Sequence, residues 1–363
     1  VGTTFITGVP GFIGTRLARR LLEDRDRRLV CLVYPERRLF EKATRFAEEE
    51  GDGRVEVLTG DIARPRLALD PKAWDRLRVE TEEVFHLAAL YNLAAPKDLS
   101  YDVNVEGTRN VLDLCAGARQ LRRLVHISTI VVSGDREGTV FEHELEMGQR
   151  FRNYYEETKY LSEVEVRRRA GDLPVTIVRP AVVIGDSRSG EIDKYDGPYY
   201  FIDALARLER HGALGLEARI LAAGEAPAVF HLIPVDYLID VIDAAAAAPE
   251  AEGKTFHVID PNEITVREFR TLVLRRFGVP EFPVRVPIGV LRAAFRVPYV
   301  ERLARMPRQA LDYFDLDVRY DFRNTRELTE ARGIRCPRVE EYIDTLIAFV
   351  RSHPEVRPQL MKA

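Results

Sequence analysis

Thr7-Gly8-Val9-Pro10-Gly11-Phe12-Ile13-Gly14 decides how the rest of this chain is read. The apolar Phe5-Ile6-Thr7 leading into it predicts a strand. The stretch Phe12 to Glu23 after it carries Ile13, Leu17, Leu21 and Leu22 on one face and predicts an amphipathic helix. Three glycines spaced three apart between a strand and a helix form the kind of turn that cradles a dinucleotide. Gly8 permits the tight turn, Gly11 lets the backbone approach a pyrophosphate, and Gly14 allows close packing of helix on sheet. The pyrophosphate would sit on the helix N-terminus beside Phe12 and Ile13, where free N–H groups and the helix dipole favour an anion.

Working outward, the first half alternates apolar strands with amphipathic helices, the pattern of a parallel sheet covered on both faces. Strands are expected at Leu29–Tyr34, Val55–Leu58, Val84–Ala89, Leu124–Ser128 and Val175–Ile184, with helices at about Glu36–Glu50, Asn104–Cys115 and around Tyr155. The fold class is α/β, a Rossmann-type doubly wound parallel sheet. After Gly185 the texture changes to a polar loop, Asp186–Gly197, and then an aromatic-rich helix opening at Pro198-Tyr199-Tyr200-Phe201. Phe230–Asp236 and Thr255–Ile259 read as strands rejoining the sheet, and the chain from Pro261 reads as mostly helical. Residues 1–185 plus 230–260 are therefore expected to form the dinucleotide-binding domain. Residues 186–229 plus 261–363 would form a smaller, mostly helical, discontinuous C-terminal substrate domain.

Composition narrows the function. Of the 363 residues 46% are hydrophobic and 31% charged, an ordinary soluble balance, and the net charge of −4 gives no reason to expect nucleic acid as a partner. Cys31, Cys115 and Cys336 lack metal-like spacing and read as reduced buried thiols. No apolar run is long enough to span a bilayer, and the strand-like Val1–Thr7 is not a signal peptide, so a cytoplasmic protein is expected.

The chemistry centres on Tyr155-Glu156-Glu157-Thr158-Lys159. Tyr155 and Lys159 lie one helical turn apart on one face, whereas Tyr154 has Thr158 at that offset. A free phenol has a pKa near 10. The Lys159 ammonium, with the positive nicotinamide of an oxidised cofactor, is expected to draw it toward neutral pH, and Lys159 can also hydrogen-bond the nicotinamide ribose. A hydroxyl from the end of the fifth strand, Thr129 or else Ser128, would help polarise a substrate carbonyl. Beyond Tyr34 no acid stands at the strand end, while Arg37 and Arg38 follow. That pattern favours NADP(H) over NAD(H), against a reading of both arginines as a solvated helix start. Asp61 and Ile62 could meet the adenine, or Asp61 could cap its own turn. His86 reads as a core histidine, and Leu87-Ala88-Ala89 after it leave room for a cofactor against the strand end.

Together these motifs resemble the extended short-chain dehydrogenase/reductases over nearly the whole chain. The GxxGxxG at Gly8, Gly11 and Gly14 has the extended-type spacing, and Asn104-Val105-Glu106-Gly107-Thr108 looks like the NVxGT element. The resemblance makes Asn104 the support of the active-site helix and of a water-linked proton path. Ser128 to Gly134 is similar to the SSxxxYG stretch, which assigns the catalytic hydroxyl to Thr129 and leaves Ser133 where a Tyr is usual. Arg179-Pro180 with Val182 and Val183 looks like the turn facing the nicotinamide, and His231–Asp236 resembles the later strand motif. Within the superfamily, Thr7–Gly14, His86–Tyr91, Asn104–Thr108 and Ile184–Gly190 look like the thioester-reductase and fatty acyl reductase branch.

What the resemblance implies is hydride transfer from NADPH to the carbonyl of an acyl thioester, aldehyde or ketone. Thr129 and Tyr155 would bind the oxyanion, Tyr155 would protonate it, and Lys159 would orient the ribose. A CoA thioester or an acyl carrier protein would be the partner, and a homodimer is common among such proteins. A nucleotide-sugar epimerase of the same superfamily and a non-catalytic NADP(H)-sensing protein are the alternatives. The apolar stripe from Tyr195 to Phe201 with Leu205 and Leu208 suits an acyl chain or plain core. The basic stretch Val284–Pro307, with Arg285, Arg292, Arg296, Arg302 and Arg305, suits an acidic carrier or simply water.

Overall fold

Seven parallel strands stack in the order β3-β2-β1-β4-β5-β7-β10 in the computed structural model of the chain, which describes residues 2–212, 214–215, 228–280, 288–294, 296 and 318–356. The strands are β1 (Thr3–Thr7), β2 (Arg28–Val33), β3 (Val55–Thr59), β4 (Thr81–His86), β5 (Arg123–Ile127), β7 (Val175–Pro180) and β10 (Thr255–Val258). The chain runs outward from β1 through β2 to β3, crosses back beside β1 as β4, and then runs outward the other way. The turn in direction falls between β1 and β4, where ligands of doubly wound sheets bind. Register aligns Thr7 with His86 and His86 with His126, so the carboxyl ends of β1, β4 and β5 open onto one crevice.

Burial explains the strands' composition. Phe5, Ile6, Val30, Cys31, Val84, Phe85, Val125 and Val178 are sealed between helices on both faces of the sheet, so adjacent residues in the middle of these strands are apolar instead of alternating with polar ones. Cys31, Cys115 and Cys336 are all buried free thiols.

Three expectations need correction. The expected sixth strand is broken: β7 stays in the sheet, but after Pro180 the chain swings away as β8 (Val182–Ile184). β8 pairs only with β9 (Leu232–Pro234), so of the two strands expected to rejoin the sheet only β10 does so. The helix expected over Asn104–Cys115 starts earlier, at Lys97, and runs to Gly117 with a π-turn, Asp102–Glu106, that carries Asn104 spliced between Lys97–Tyr101 and Gly107–Gly117. One further pairing had no sequence signal: β6 (Gly138–Val140) lies parallel to β11 (Val318–Tyr320), 178 or more positions later.

Beyond the sheet, helices Tyr199–Arg210, Val266–Arg276 and Val339–Ser352 share an apolar cluster built around Tyr199, Ile202, Leu205, Phe269, Val273, Tyr342 and Leu346. Tyr195, Tyr199 and Leu205 are fully buried there. The Tyr195 hydroxyl donates to the His353 carbonyl and the Tyr199 hydroxyl accepts from Gly185 N–H, so Tyr195, Tyr199 and Leu205 are core, with Phe201 and Leu208 partly buried against them. Among the described residues no helix is long and apolar enough to cross a membrane. Arg292 and Arg296 are exposed, whereas Arg285, Arg302 and Arg305 lie outside the described residues.

Candidate active site

The glycine turn is dictated by sterics. Gly8 has φ +96°, and a Cβ there would stand 2.9 Å from Leu87 Cβ and 3.0 Å from Ala88 N. A Cβ on Gly11 or Gly14 would stand 2.7 Å or 2.4 Å from the Gly8 carbonyl oxygen, which accepts Gly11 N–H at 2.8 Å. All three glycines thus close one turn against the end of β4. Helix Phe12–Leu21 starts at Gly11 with no side-chain cap and no acid in its first turn. An uncapped N-terminus behind a cradle with no room for a Cβ fits a pyrophosphate.

Beneath the turn, hydroxyls lock β1 to β4. The Thr108 hydroxyl donates to the Asn104 carbonyl at 2.7 Å, so it accepts from His86 Nε2–H at 3.1 Å. His86 Nδ1 then accepts from the Thr7 hydroxyl at 2.9 Å, while Thr7 Oγ1 accepts from Leu87 and Ala88 N–H. Burial, with the Lys159 charge nearby, holds His86 down at about 3, so it is a neutral core histidine with both nitrogens bonded. Ala88 and Leu87 are fixed under Gly8 by the same bonds.

The second half of the site rides on helix Tyr154–Arg168. Asn153 caps it, accepting Glu156 N–H at 3.0 Å, and Glu156 with Glu157 sits favourably in its first turn. Asn104 ties this helix to the crevice. Its Oδ1 accepts Leu90 N–H at 2.7 Å, and its Nδ2 donates to Leu90 O at 3.3 Å and to Thr158 Oγ1 at 2.9 Å. A π-turn gives Asn104 this reach, as such insertions often do beside functional sites.

Tyr155 is partly buried, and burial pushes its phenol up to about 12, with the nearby Thr129 hydroxyl opposing. Thr129 Oγ1 itself accepts Val131 N–H at 3.4 Å. Lys159 is buried, its ammonium donates to Ile127 O at 2.7 Å, and desolvation lowers it to about 8. The expectation that Lys159 draws the phenol toward neutral pH is therefore reversed among the chain's own groups. Low-dielectric surroundings penalise phenolate more than this lysine, turned to a carbonyl, favours it.

Thr129 and Ser128 part company. Ser128 turns inward and donates to Glu163 at 2.7 Å, inside a buried network in which Arg179 pairs with Glu163 at 2.7 Å and meets His257 Nε2 at 2.9 Å. Burial alone would push Glu163 up, but Arg179 and Arg167 carry it down to about 2. Arg179 thus faces the core. The neighbouring Pro180 is buried, Val182 is exposed and Val183 lies between. Ser133, at the position where Tyr is usual, bonds the phenol of Tyr320 at 2.9 Å.

The remaining cofactor candidates sit around the crevice. Arg37 and Arg38 are exposed at the start of helix Arg37–Glu50, and Arg37 pairs with Glu41 at 2.7 Å. Asp61 caps its own turn, accepting Ala63 N–H at 2.9 Å. Ile62 packs on helix Gly107–Gly117 at Gly107, where a Cβ would stand 2.8 Å from its Cδ1. Ala89 is exposed just past β4.

Sequence reasoning missed a group packed beside Tyr155. The Tyr91 ring meets Tyr155 edge-on at 5.0 Å and 79°, and Lys194 Nζ lies 4.6 Å over the Tyr91 ring. Asp196 is paired with Lys194 at 3.5 Å and acts electrostatically on Tyr91, as does Tyr200. Their loop is tied down by Glu191 to Arg16 at 3.1 Å and by Asp193 to Lys42 at 3.0 Å. No local pattern marks these residues, because the contacts of Tyr91, Glu191 and Asp193 join segments 64 to 175 positions apart.

Known proteins bear on this arrangement. The NAD-binding family described as male sterility protein matches residues 6–242. The chain is 26% identical over 314 residues to the glycine betaine reductase ATRR of Emericella nidulans, covering 78% of this chain and 23% of that protein. It is 27% identical over 301 residues to the carboxylic acid reductase of Mycobacterium tuberculosis, covering 72% and 25%. It therefore spans only about a quarter of either relative's length. Among solved structures it is similar to the terminal R domain of the myxalamid PKS-NRPS biosynthetic pathway, with TM-score 0.84, 26% identity, and coverage of 98% of this chain and 91% of that one.

Proposed function

The chain belongs to the male sterility protein family and is an NAD(P)-dependent oxidoreductase of the extended short-chain dehydrogenase/reductase type, and on that premise we propose that it reduces the carbonyl of an acyl thioester. An aldehyde or ketone is the related substrate, and NADP(H) is the favoured cofactor. The observation that carries the reading is the convergence of Thr129, Tyr155 and buried Lys159 on the crevice where the Gly8 turn meets the end of β4.

The nicotinamide, when bound, supplies the hydride. The glycine turn and the uncapped helix N-terminus would hold the pyrophosphate, Arg37 and Arg38 a 2′-phosphate, and Asp61 with Ile62 the adenine. Leu87, Ala88, Ala89, Pro180, Val182 and Val183 would frame the nicotinamide end. A phenol raised to about 12 stays protonated at neutral pH and is a weaker acid than a free phenol, so Tyr155 gives its proton only to an oxygen as basic as the alkoxide that hydride addition creates. Tyr155 and Thr129 together aim two hydroxyls at one carbonyl oxygen and stabilise the oxyanion as it forms. Tyr155 then releases its proton to that oxygen. With a thioester, the resulting hemithioacetal loses its C–S bond, giving an aldehyde and a free thiol. Lys159, fixed on Ile127 O, stands ready to stabilise the phenolate left behind. Asn104 acts at one remove, holding helix Tyr154–Arg168 against Leu90.

The substrate would arrive on CoA or on an acyl carrier protein. The likeness to the terminal R domain of a PKS-NRPS pathway supports such delivery. For the division into 1–185 plus 230–260 and 186–229 plus 261–363, the separate apolar cluster shared by helices Tyr199–Arg210, Val266–Arg276 and Val339–Ser352 speaks in favour. Val318, Tyr320, Leu328 and Cys336, which pack into the sheet's own cluster, speak against placing 318–336 in the second unit. The test is cofactor oxidation by the purified protein, with NADPH and NADH compared over acyl-CoA thioesters, aldehydes and ketones. Thioester turnover preferring NADPH is expected; turnover confined to nucleotide sugars would overturn the reading.

A further inference from the structure

Two histidines lie side by side on neighbouring strands beneath the site, and only one of them is satisfied. His86 and His126 are register partners with ring centroids 5.5 Å apart. His86 has both nitrogens bonded, to Thr7 and Thr108. His126 is 1% exposed, and neither Nδ1 nor Nε2 has a protein partner. Leaving two buried polar atoms unbonded costs about 1–3 kcal/mol each, so an apolar side chain would serve plain packing better. Lys159, whose ammonium carries three N–H donors, makes one protein hydrogen bond, to Ile127 O, the residue next to His126. Burial, with the charge of Lys159 and the neighbouring His86, keeps the His126 ring neutral, so it offers one donor and one acceptor.

We propose that His126 holds a buried water between its ring and the Lys159 ammonium, and so is a positioning residue for returning a proton to Tyr155. The inference rests on the Tyr155–Lys159 reading above. Each turnover removes one proton from the Tyr155 phenol, and the Lys159 side of the phenolate faces the sheet interior. A water bonded to Lys159 and His126 has the two polar partners that a buried water needs. It accepts from the ammonium and donates to the ring nitrogen that carries no proton, and so holds Lys159 where it can give a proton to the Tyr155 phenolate. The amine left behind regains that proton from solvent once product has left.

The test compares His126→Phe with His126→Gln in the full chain. His126→Phe should lower kcat about tenfold with an unchanged cofactor KM, a loss within the range of an impaired proton transfer. It should also change the solvent deuterium isotope effect, and His126→Gln should restore most of the rate. Wild-type kcat and isotope effect in His126→Phe, or equal impairment in His126→Gln, would overturn the proposal. A high-resolution crystal structure of the unmodified protein gives an independent check that needs no variant to fold. An ordered water within about 3.2 Å of a His126 ring nitrogen is expected, and its absence there would overturn the proposal. Tyr155→Phe run in parallel separates the two readings. If it keeps turnover, the functional assignment fails; if it loses turnover while His126→Phe does not, only the role of His126 fails.

Discussion

The two sides of the crevice are built on different principles. On the dinucleotide side the backbone itself sets the shape: Gly8 at φ +96°, and Gly11 and Gly14 with no room for a Cβ against the Gly8 carbonyl. On the substrate side the shape comes from side chains sent in by distant segments, Tyr91 on Tyr155, Lys194 on Tyr91, and Glu191 and Asp193 on the first two helices. A backbone constraint admits almost one residue type and tolerates little change. A side-chain constraint admits several and should yield gradually.

That contrast is open to attack, and the largest expected effect lies on the rigid side. Gly8→Val should reduce NADPH affinity by at least about a hundredfold, since a positive φ and a 2.9 Å clash with Leu87 leave a branched side chain nowhere to go. Calorimetric titration of the folded variant, checked by circular dichroism, measures this. Binding near wild type would mean that the turn is not constrained as described.

The neighbours Ser128 and Thr129 sharpen the comparison within one turn of chain. Thr129→Ala should cut kcat about a hundredfold, the usual loss of one oxyanion donor, with stability nearly intact. Ser128→Ala should do the reverse, removing a hydroxyl bonded to a buried carboxylate at a cost of about 1.5–3 kcal/mol and sparing kcat. Steady-state kinetics and chemical denaturation of the pair decide it, and a swap of the two phenotypes would misplace the catalytic hydroxyl.

Behind Ser128, Glu163→Gln leaves Arg179 buried without its countercharge and should destabilise by about 3–5 kcal/mol. Glu163 is lowered to about 2, whereas an unfolded glutamate titrates near 4.3, so the unfolded chain takes up this proton first. The stability it confers is complete above about pH 4.3 and is lost as pH falls toward about 2. Denaturation midpoints across that window should slope in the wild type and flatten in the variant.

Smaller effects follow at the exposed positions. Replacing Arg37 and Arg38 together with Ala should lower the preference for NADPH over NADH by about tenfold, the worth of one charge-assisted contact. An unaltered ratio of kcat/KM would leave both arginines as the solvated start of a helix. Lys194→Met should raise substrate KM only about threefold, in keeping with one cation–π contact, and leave cofactor affinity alone. A large loss of cofactor affinity there would erase the distinction between the two sides.

The same distinction explains what could be read in the sequence. The glycine turn, the strand alternation and the Tyr155–Lys159 pair were legible because each is local and fixed by backbone geometry or helical spacing. The resemblance put the hydroxyl at Thr129 by its distance to Gly134, and what the sequence could not show is that Ser128 is committed to Glu163. The break after Pro180, the β8–β9 pair and the β6–β11 pair were not legible. These are three-residue strands whose partners lie far along the chain, too short to show periodicity. The direction of the Tyr155 shift was misjudged for a related reason: burial and the turn of Lys159 toward Ile127 are tertiary facts.

The most direct test of the account is a single-turnover experiment mixing an acyl-CoA thioester with enzyme and NADPH, following cofactor oxidation and thiol release for wild type and Tyr155→Phe. The account expects thiol release in step with NADPH oxidation in the wild type. In Tyr155→Phe it expects a rate at least about a hundredfold lower with unchanged NADPH binding. Equal rates in the two proteins, or NADPH oxidation without release of thiol, would contradict it.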